Sequence, residues 1–342
     1  VILRIRTILL AVLLTLVQGA ALAEEGRTLR FATLAPEGSA WMERIDEWAG
    51  EVAARSQGRL RLKIYPGGVS GDEAEMLRKI GLGQLQGAAF TGLGIGEIYS
   101  PARVLEMPFL LRDYEEIDYV RRRLLAELRA GFRERGFELL GLTEVGINQF
   151  YSKAPIRSLA DLRARRVWLC TGDPLAEAFF SVSDLSPVVM PITEVFKGLS
   201  TGRIDTVYAP PLAAIALQWF TKTRYVTETA MGNSIGALVI ANRFFDGLPE
   251  DLRTVLRSTG EQAAARMARG SRRENRRSLE VLKDYGLRFV QWREDDRHRL
   301  LETRDRAAAL LAEQGYIPAE LYRRVRAMLE DYRGGRPPGG QR

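Results

Sequence analysis

Apolar and polar positions change period repeatedly from Arg27 onward. "TLRFATLA" reads as a strand that "PEGS" ends. Trp41, Ile45, Trp48 and Val52 then recur at intervals of four, three and four, the spacing of one helix face. "GRLRLKIYP" alternates Leu60, Leu62 and Ile64 with charged partners and stops at Pro66, the pattern of a half-buried strand. After the turn "GGVSGD" come a helix, "EAEMLRKIGLG", and an apolar strand, "LQGAAFTG". The Trp and Met positions of the first helix are expected in the core.

The same order returns later in the chain. "RRVWLC" reads as a strand, "TGDPLAEAFFSV" as a loop and helix, "LSPVVMP" as a strand, "ITEVFKGLSTG" as a helix and "RIDTVYAPP" as a strand. Two β-α-β-α-β units predict an α/β fold of two lobes, each a mostly parallel sheet flanked by helices. Two longer strands, "FELLGLTEVGINQFYS" and "TETAMGNSIGALVIAN", are expected to cross between the lobes, with Gly146, Gly232 and Gly236 as bending points for closure around a ligand. From Pro249 to Tyr285 a helical composition is interrupted only by Gly260 and Gly270. Such a helix reaches roughly 54 Å at about 1.5 Å per residue, enough to run along both lobes. The expected division is 24–145 plus about 230–260 for the first lobe and 146–229 plus about 261–330 for the second. A tail at 331–342 reads as disordered by composition.

The first 23 residues combine Arg4 and Arg6, an apolar run from Ile8 to Val17 and the small-residue ending Ala21-Leu22-Ala23. That pattern is a cleavable secretory signal peptide. Its apolar run is too short to span a bilayer. Without a cysteine at the cleavage site, an exported, freely diffusing protein that is not a lipoprotein is expected. Loss of Arg4 and Arg6 lowers the formal net charge from +7 to +5. Stretches such as "YVRRRLLAELRAGFRERG" interleave acids with the arginines and carry no base-stacking aromatic platform, so no nucleic-acid partner is expected.

A single cysteine, Cys170, cannot form an intramolecular disulfide, so the core must hold the fold. A single histidine, His298 in "REDDRHRLLETR", excludes a His-rich metal site and reads as a surface residue. A Cys170–His298 nucleophile pair has no local signature and no orienting group. No cofactor or metal is implied. Three classes remain: a binding protein that closes on a small molecule, an exported enzyme working through carboxylates or Cys170, and a protein that only docks to partners. The absent histidines and metal motifs disfavour the enzyme.

"GRLRLKIYPGGVSGDEAEMLRKIGLGQLQGA", "MPFLLRDYEE", "SLADLRARRVWL" and "PVVMPITEVFKGLSTGRIDTVYAPP" occur in that order. Together they resemble the substrate-binding subunits of tripartite ATP-independent periplasmic (TRAP) transporters, the DctP-like family, over about residues 28–330. The resemblance implies two α/β lobes, two crossing strands, one helix spanning both lobes, and delivery of a small molecule to a small and a large membrane subunit. "APEGSAW" with "VW" is similar to a subgroup associated with a periplasmic helical-repeat protein.

In this family the strand after the "DL" motif usually carries an arginine that clamps a substrate carboxylate. In "DLRARRVWL" that place is held by Trp168. Arg165 is out of register and Arg166 lies one pleat earlier. A second, often basic, family position falls near Asn148, and a position often occupied by asparagine falls near Tyr208. The matched positions therefore imply an uncharged, aromatic pocket for a neutral or hydrophobic molecule. Trp168 is either cleft-facing or a core residue of the second lobe; the carboxyl end of a strand at a crevice favours the former. Cys170, on the same face of the strand, divides between pocket wall and buried thiol. Leu34, Thr91, Gly92, Phe150, Ile192 and Pro210 complete the expected ligand set. Asp173 has a rival role as the cap of a helix beginning at Pro174.

Overall fold

The computed structural model describes residues 26–335. The expected signal peptide, 1–23, and residues 336–342 lie outside them. The strands are β1 (Arg27–Ala32), β2 (Leu60–Tyr65), β3 (Gly87–Thr91), β4 (Phe137–Ser152), β5 (Trp168–Cys170), β6 (Val188–Met190), β7 (Thr206–Ala209), β8 (Tyr225–Thr227), β9 (Gly232–Ala241) and β10 (Arg288–Val290). The helices are α1 (Ala40–Arg55), α2 (Glu73–Gly81), α3 (Gly92–Tyr99), α4 (Tyr114–Glu134), α5 (Leu159–Arg163) and α6 (Pro174–Val182), then α7 (Val195–Thr201), α8 (Pro211–Ala216), α9 (Asn242–Asp246), α10 (Glu250–Asp284), α11 (Arg297–Glu313) and α12 (Ala319–Gly334).

In the first lobe β2 and β3 pair in parallel with β1, setting Leu29 beside Leu62 and Phe31 beside Ile64. β9 then joins β3 in antiparallel sense, and β4 joins β9 likewise. β4 is long enough to continue into the second lobe, where it pairs with β7 and β8, and β10 lies parallel to β8. β5 and β6 form a parallel pair joined to the rest by a bridge from Val167 to Thr206. The lobes are thus built of parallel βα units, as expected, and the crossing strands β4 and β9 run antiparallel to each other.

β4 is bulged against β9 between Leu139 and Gly141 and again between Glu144 and Gly146. Gly146 has φ +146°, and a Cβ there would lie 2.4 Å from Asn275 Nδ2. Only glycine fits this point, because Asn275 of α10 donates to the Val145 carbonyl at 2.7 Å and accepts from the Leu212 amide at 3.0 Å.

α10 does run along both lobes. Leu252, Leu256, Ala263, Ala264 and Met267 pack in the core with Trp48 and Leu29, whereas Leu282 packs in the second-lobe core with Trp219 and Val226. Two expectations are corrected by packing. α12, expected in the second lobe, buries Leu321, Val325 and Leu329 in the core of Val120, Leu124 and Leu128 from α4. Residues 331–334, expected in the tail, are its last turn. Arg333 donates to Glu116 at 2.7 Å and to the Leu110 carbonyl at 2.9 Å, which holds that turn on the first lobe.

Candidate ligand-binding site

The carboxyl ends of β3, β5 and β7 face the crossing strands β4 and β9 across a cavity of about 240 Å³. Its second-lobe wall is aromatic. Trp168 stacks on Tyr208 with ring centres 5.1 Å apart and meets Trp219 edge-on at 5.2 Å. Its indole Nε1 donates to the Met190 carbonyl at 2.9 Å, so the polar edge is used within the lobe. The two readings of Trp168 therefore coincide: it is 4% exposed and part of the core, and it also lines the cavity.

Polar groups from the crossing strands face this wall. Asn148 and Ser234 bond reciprocally, the amide donating at 3.0 Å and the hydroxyl at 3.2 Å. Asn233 is different. Its side chain is 2% exposed, and neither amide atom has a partner. The Tyr208 hydroxyl is also buried without one; the Cys170 amide approaches it without reaching hydrogen-bond geometry. Burial, reinforced by Asp173 and Cys170, keeps that phenol protonated well above its usual range. A buried polar atom left unpaired costs about 1 to 3 kcal/mol, so the Asn233 amide and the Tyr208 hydroxyl are candidates to meet polar groups of a ligand.

Among the described residues the cavity wall contains one cation, Arg103. Its guanidinium donates to Glu106 Oε2 and Asp173 Oδ1, each at 2.7 Å, and to the Tyr316 hydroxyl at 3.1 Å. Burial works against its charge, and attraction to Glu106 and Asp173 more than offsets that, placing its pKa well above the usual value. Complete burial raises the Glu106 pKa, against the pull of Arg103 and the Ile235 amide. Asp173 also accepts from the Leu175 and Ala176 amides, so it both caps α6 and lines the cavity. The other cations near the expected clamp strand point elsewhere. Arg166 bonds to the Gly202 carbonyl and Asp205, and Lys153 donates to the Leu199 carbonyl.

Of the expected ligand residues, Thr91, Gly92, Asn148, Trp168, Cys170, Ile192, Tyr208 and Pro210 all line this one cavity. Gly92 is required there, since a Cβ would come within 2.0 Å of Glu106 Oε2. Phe150 does not line it. It shares a strand face with Asn148 but lies two residues farther into the second lobe, paired with Tyr208 and packed in the core behind it at 6.4 Å between ring centres. Leu34 borders a neighbouring apolar annexe of about 180 Å³, with Trp41, Ile45, Phe90, Thr143 and Met267 among its walls. Trp41, expected in the core, therefore also faces a cavity, as does Ile45. Arg103 and Asn233 escaped the sequence reading, since neither stands in a motif.

Cys170 borders the cavity as a free thiol that burial, then Asp173, raises to about 11. His298 is at the surface, 3.4 Å from Glu302, and is not in this wall. No group of three or more His, Cys, Asp or Glu able to hold a metal occurs among the described residues.

The profile of the DctP family, bacterial extracellular solute-binding protein family 7, matches residues 31–314. The chain belongs to this family. It is 24% identical over 241 residues to the 2,3-diketo-L-gulonate-binding periplasmic protein YiaO of Escherichia coli, covering 69% of this chain and 72% of that one. It is likewise 24% identical over 241 residues to the C4-dicarboxylate-binding periplasmic protein DctP of Rhodobacter capsulatus, covering 68% and 70%. A TRAP periplasmic solute-binding protein from Ochrobactrum anthropi, crystallised with its C-terminus in the ligand pocket, shares the fold with a TM-score of 0.81. The identity is 21%, over 92% of this chain and 98% of that one. Another, from Roseobacter denitrificans with bound β-D-glucuronate, superposes with a TM-score of 0.79 at 18% identity, over 88% and 99%.

Proposed function

We propose that this chain is the periplasmic solute-binding protein of a TRAP-type transporter, and that it captures an uncharged, largely apolar or aromatic molecule between its lobes and presents it to a small and a large membrane subunit. Family membership and the two-lobed fold support the transport role. Binding without chemistry accords with a thiol that burial keeps protonated. The resemblance of "APEGSAW" with "VW" to the helical-repeat subgroup extends the proposal to such a periplasmic partner.

One observation carries the choice of ligand charge: among the described residues Arg103 is the sole cation in the cavity wall, and two carboxylates already hold it. An incoming carboxylate would lose its water and find no free positive partner, an outcome that is strongly unfavourable in a buried site. YiaO, DctP and the glucuronate-bound protein are named for acids, and this cavity departs from what an acid needs. Calorimetric titration with D-glucuronate and a C4-dicarboxylate tests the point. No heat is expected at millimolar concentration; micromolar binding of either acid would defeat the proposal.

A further inference from the structure

The annexe and the inter-lobe cavity share Thr91 and Val145 as walls, so the two spaces adjoin. Their chemistry differs. The inter-lobe side offers the unpartnered amide of Asn233 and the hydroxyl of Tyr208. The annexe is walled mainly by carbon, from Leu34, Ile45, Phe90 and Met267 together with the indole of Trp41. The Trp41 Nε1 is already used, donating to Ser271 at 2.9 Å. The carboxylates at its edge are also committed. Glu73 accepts from the Thr91 and Gly94 amides at 2.6 Å each, and Glu144 is bonded to Arg272. Only the buried Thr143 hydroxyl lacks a partner there. A volume of about 180 Å³ is comparable to the apolar cavity of about 150 Å³ that holds a benzene ring in another protein.

We propose that the ligand is elongated: an uncharged polar end that both donates and accepts hydrogen bonds sits between Asn233 and Tyr208, and a ring or chain of about six carbons fills the annexe. This rests on the uncharged-ligand reading above and adds a length requirement. A compact sugar or short alcohol would leave the annexe to be filled by water with few polar groups to hold it.

The test uses 4-alkylphenols, which are uncharged at neutral pH and differ only in tail length. The mature chain is titrated calorimetrically with 4-methyl-, 4-propyl-, 4-pentyl- and 4-heptylphenol, alongside the variant Leu34→Trp. Leu34 is exposed, so the larger side chain narrows the annexe mouth with little risk to folding. In the wild type, affinity should rise about fourfold per added methylene, the equivalent of about 0.8 kcal/mol, and level off once the annexe is full. In Leu34→Trp the rise should disappear, the longer tails binding no more tightly than 4-methylphenol does to the same variant. A flat series in the wild type, with 4-methylphenol still bound, overturns the length requirement and leaves the uncharged-ligand reading intact. An undiminished rise in Leu34→Trp also overturns it. If no member binds, the elongated-ligand proposal is overturned, and the charge of the molecule that co-purifies with the protein decides the parent reading separately.

Discussion

Replacing Asn233 by leucine separates what is good for folding from what is good for binding. Asn233 lies on β9 opposite Ile147, its side chain is 2% exposed, and both amide atoms are unpaired. In the unfolded chain water satisfies that amide. Folding without a ligand forfeits those bonds, at about 1 to 3 kcal/mol for a buried polar group. Leucine has a similar size and no such debt. Asn233→Leu should therefore stabilise the ligand-free protein by about 1 to 3 kcal/mol, or roughly 2 to 6 °C for a chain of this length. Two hydrogen bonds to an uncharged ligand are worth about 0.5 to 1.5 kcal/mol each, so affinity for the co-purified molecule should fall by a factor of about 5 to 150. Scanning calorimetry on ligand-stripped protein measures the first effect and titration calorimetry the second. A stability loss beyond about 1 kcal/mol would mean that the amide is paired within the fold. Unchanged affinity would remove it from the site.

Trp168→Ala should lower both properties, because the ring is packed on Tyr208 and Trp219 and also lines the cavity; expected losses are about 3 to 5 kcal/mol in unfolding free energy and about 1 to 3 kcal/mol in binding. Chemical denaturation with a parallel titration reads both, and intact affinity would confine the indole to the core. Arg103→Met leaves Glu106 and Asp173 facing each other without their cation and should cost about 3 to 5 kcal/mol by the same denaturation assay; a loss under about 1 kcal/mol would deny the pairing. Cys170 is a thiol below about 11 and a thiolate only above it, so at pH 8 its thiolate fraction is about two-hundredfold below that of an ordinary cysteine. The higher nucleophilicity of a basic thiolate offsets only part of this. Iodoacetamide labelling followed by mass spectrometry should be at least about tenfold slower than for the unfolded chain, and equal rates would contradict the buried setting.

Periodicity made the architecture readable because each element keeps one side buried. The helix face of Ile45, Trp48 and Val52 follows from spacing, and the long helix α10 from a helical composition broken only by Gly260 and Gly270. α12 did not, since an amphipathic helix near a chain end does not say which lobe receives its apolar face; the core around Leu124 and the bonds of Arg333 decide that. In the site, residues at strand ends were legible because parallel strands deliver their carboxyl ends to the crevice. Phe150 failed by distance along β4: it has the facing of Asn148 but sits two residues deeper, in the second-lobe core behind Tyr208. Arg103 and Asn233 were invisible for a different reason: their roles depend on partners distant in sequence, Asp173 at one and no protein atom at the other.

The charge of the captured molecule is the most direct test of the whole account. The full-length protein is expressed in a bacterial host, purified without denaturation, and examined by native mass spectrometry, with the bound species released and identified. The account predicts a molecule with no net charge at pH 7 and a substantial apolar portion. Release of a uronic acid or a dicarboxylate in stoichiometric amount would contradict it, and would require the Arg103 cluster to exchange one of its carboxylates for the ligand's own.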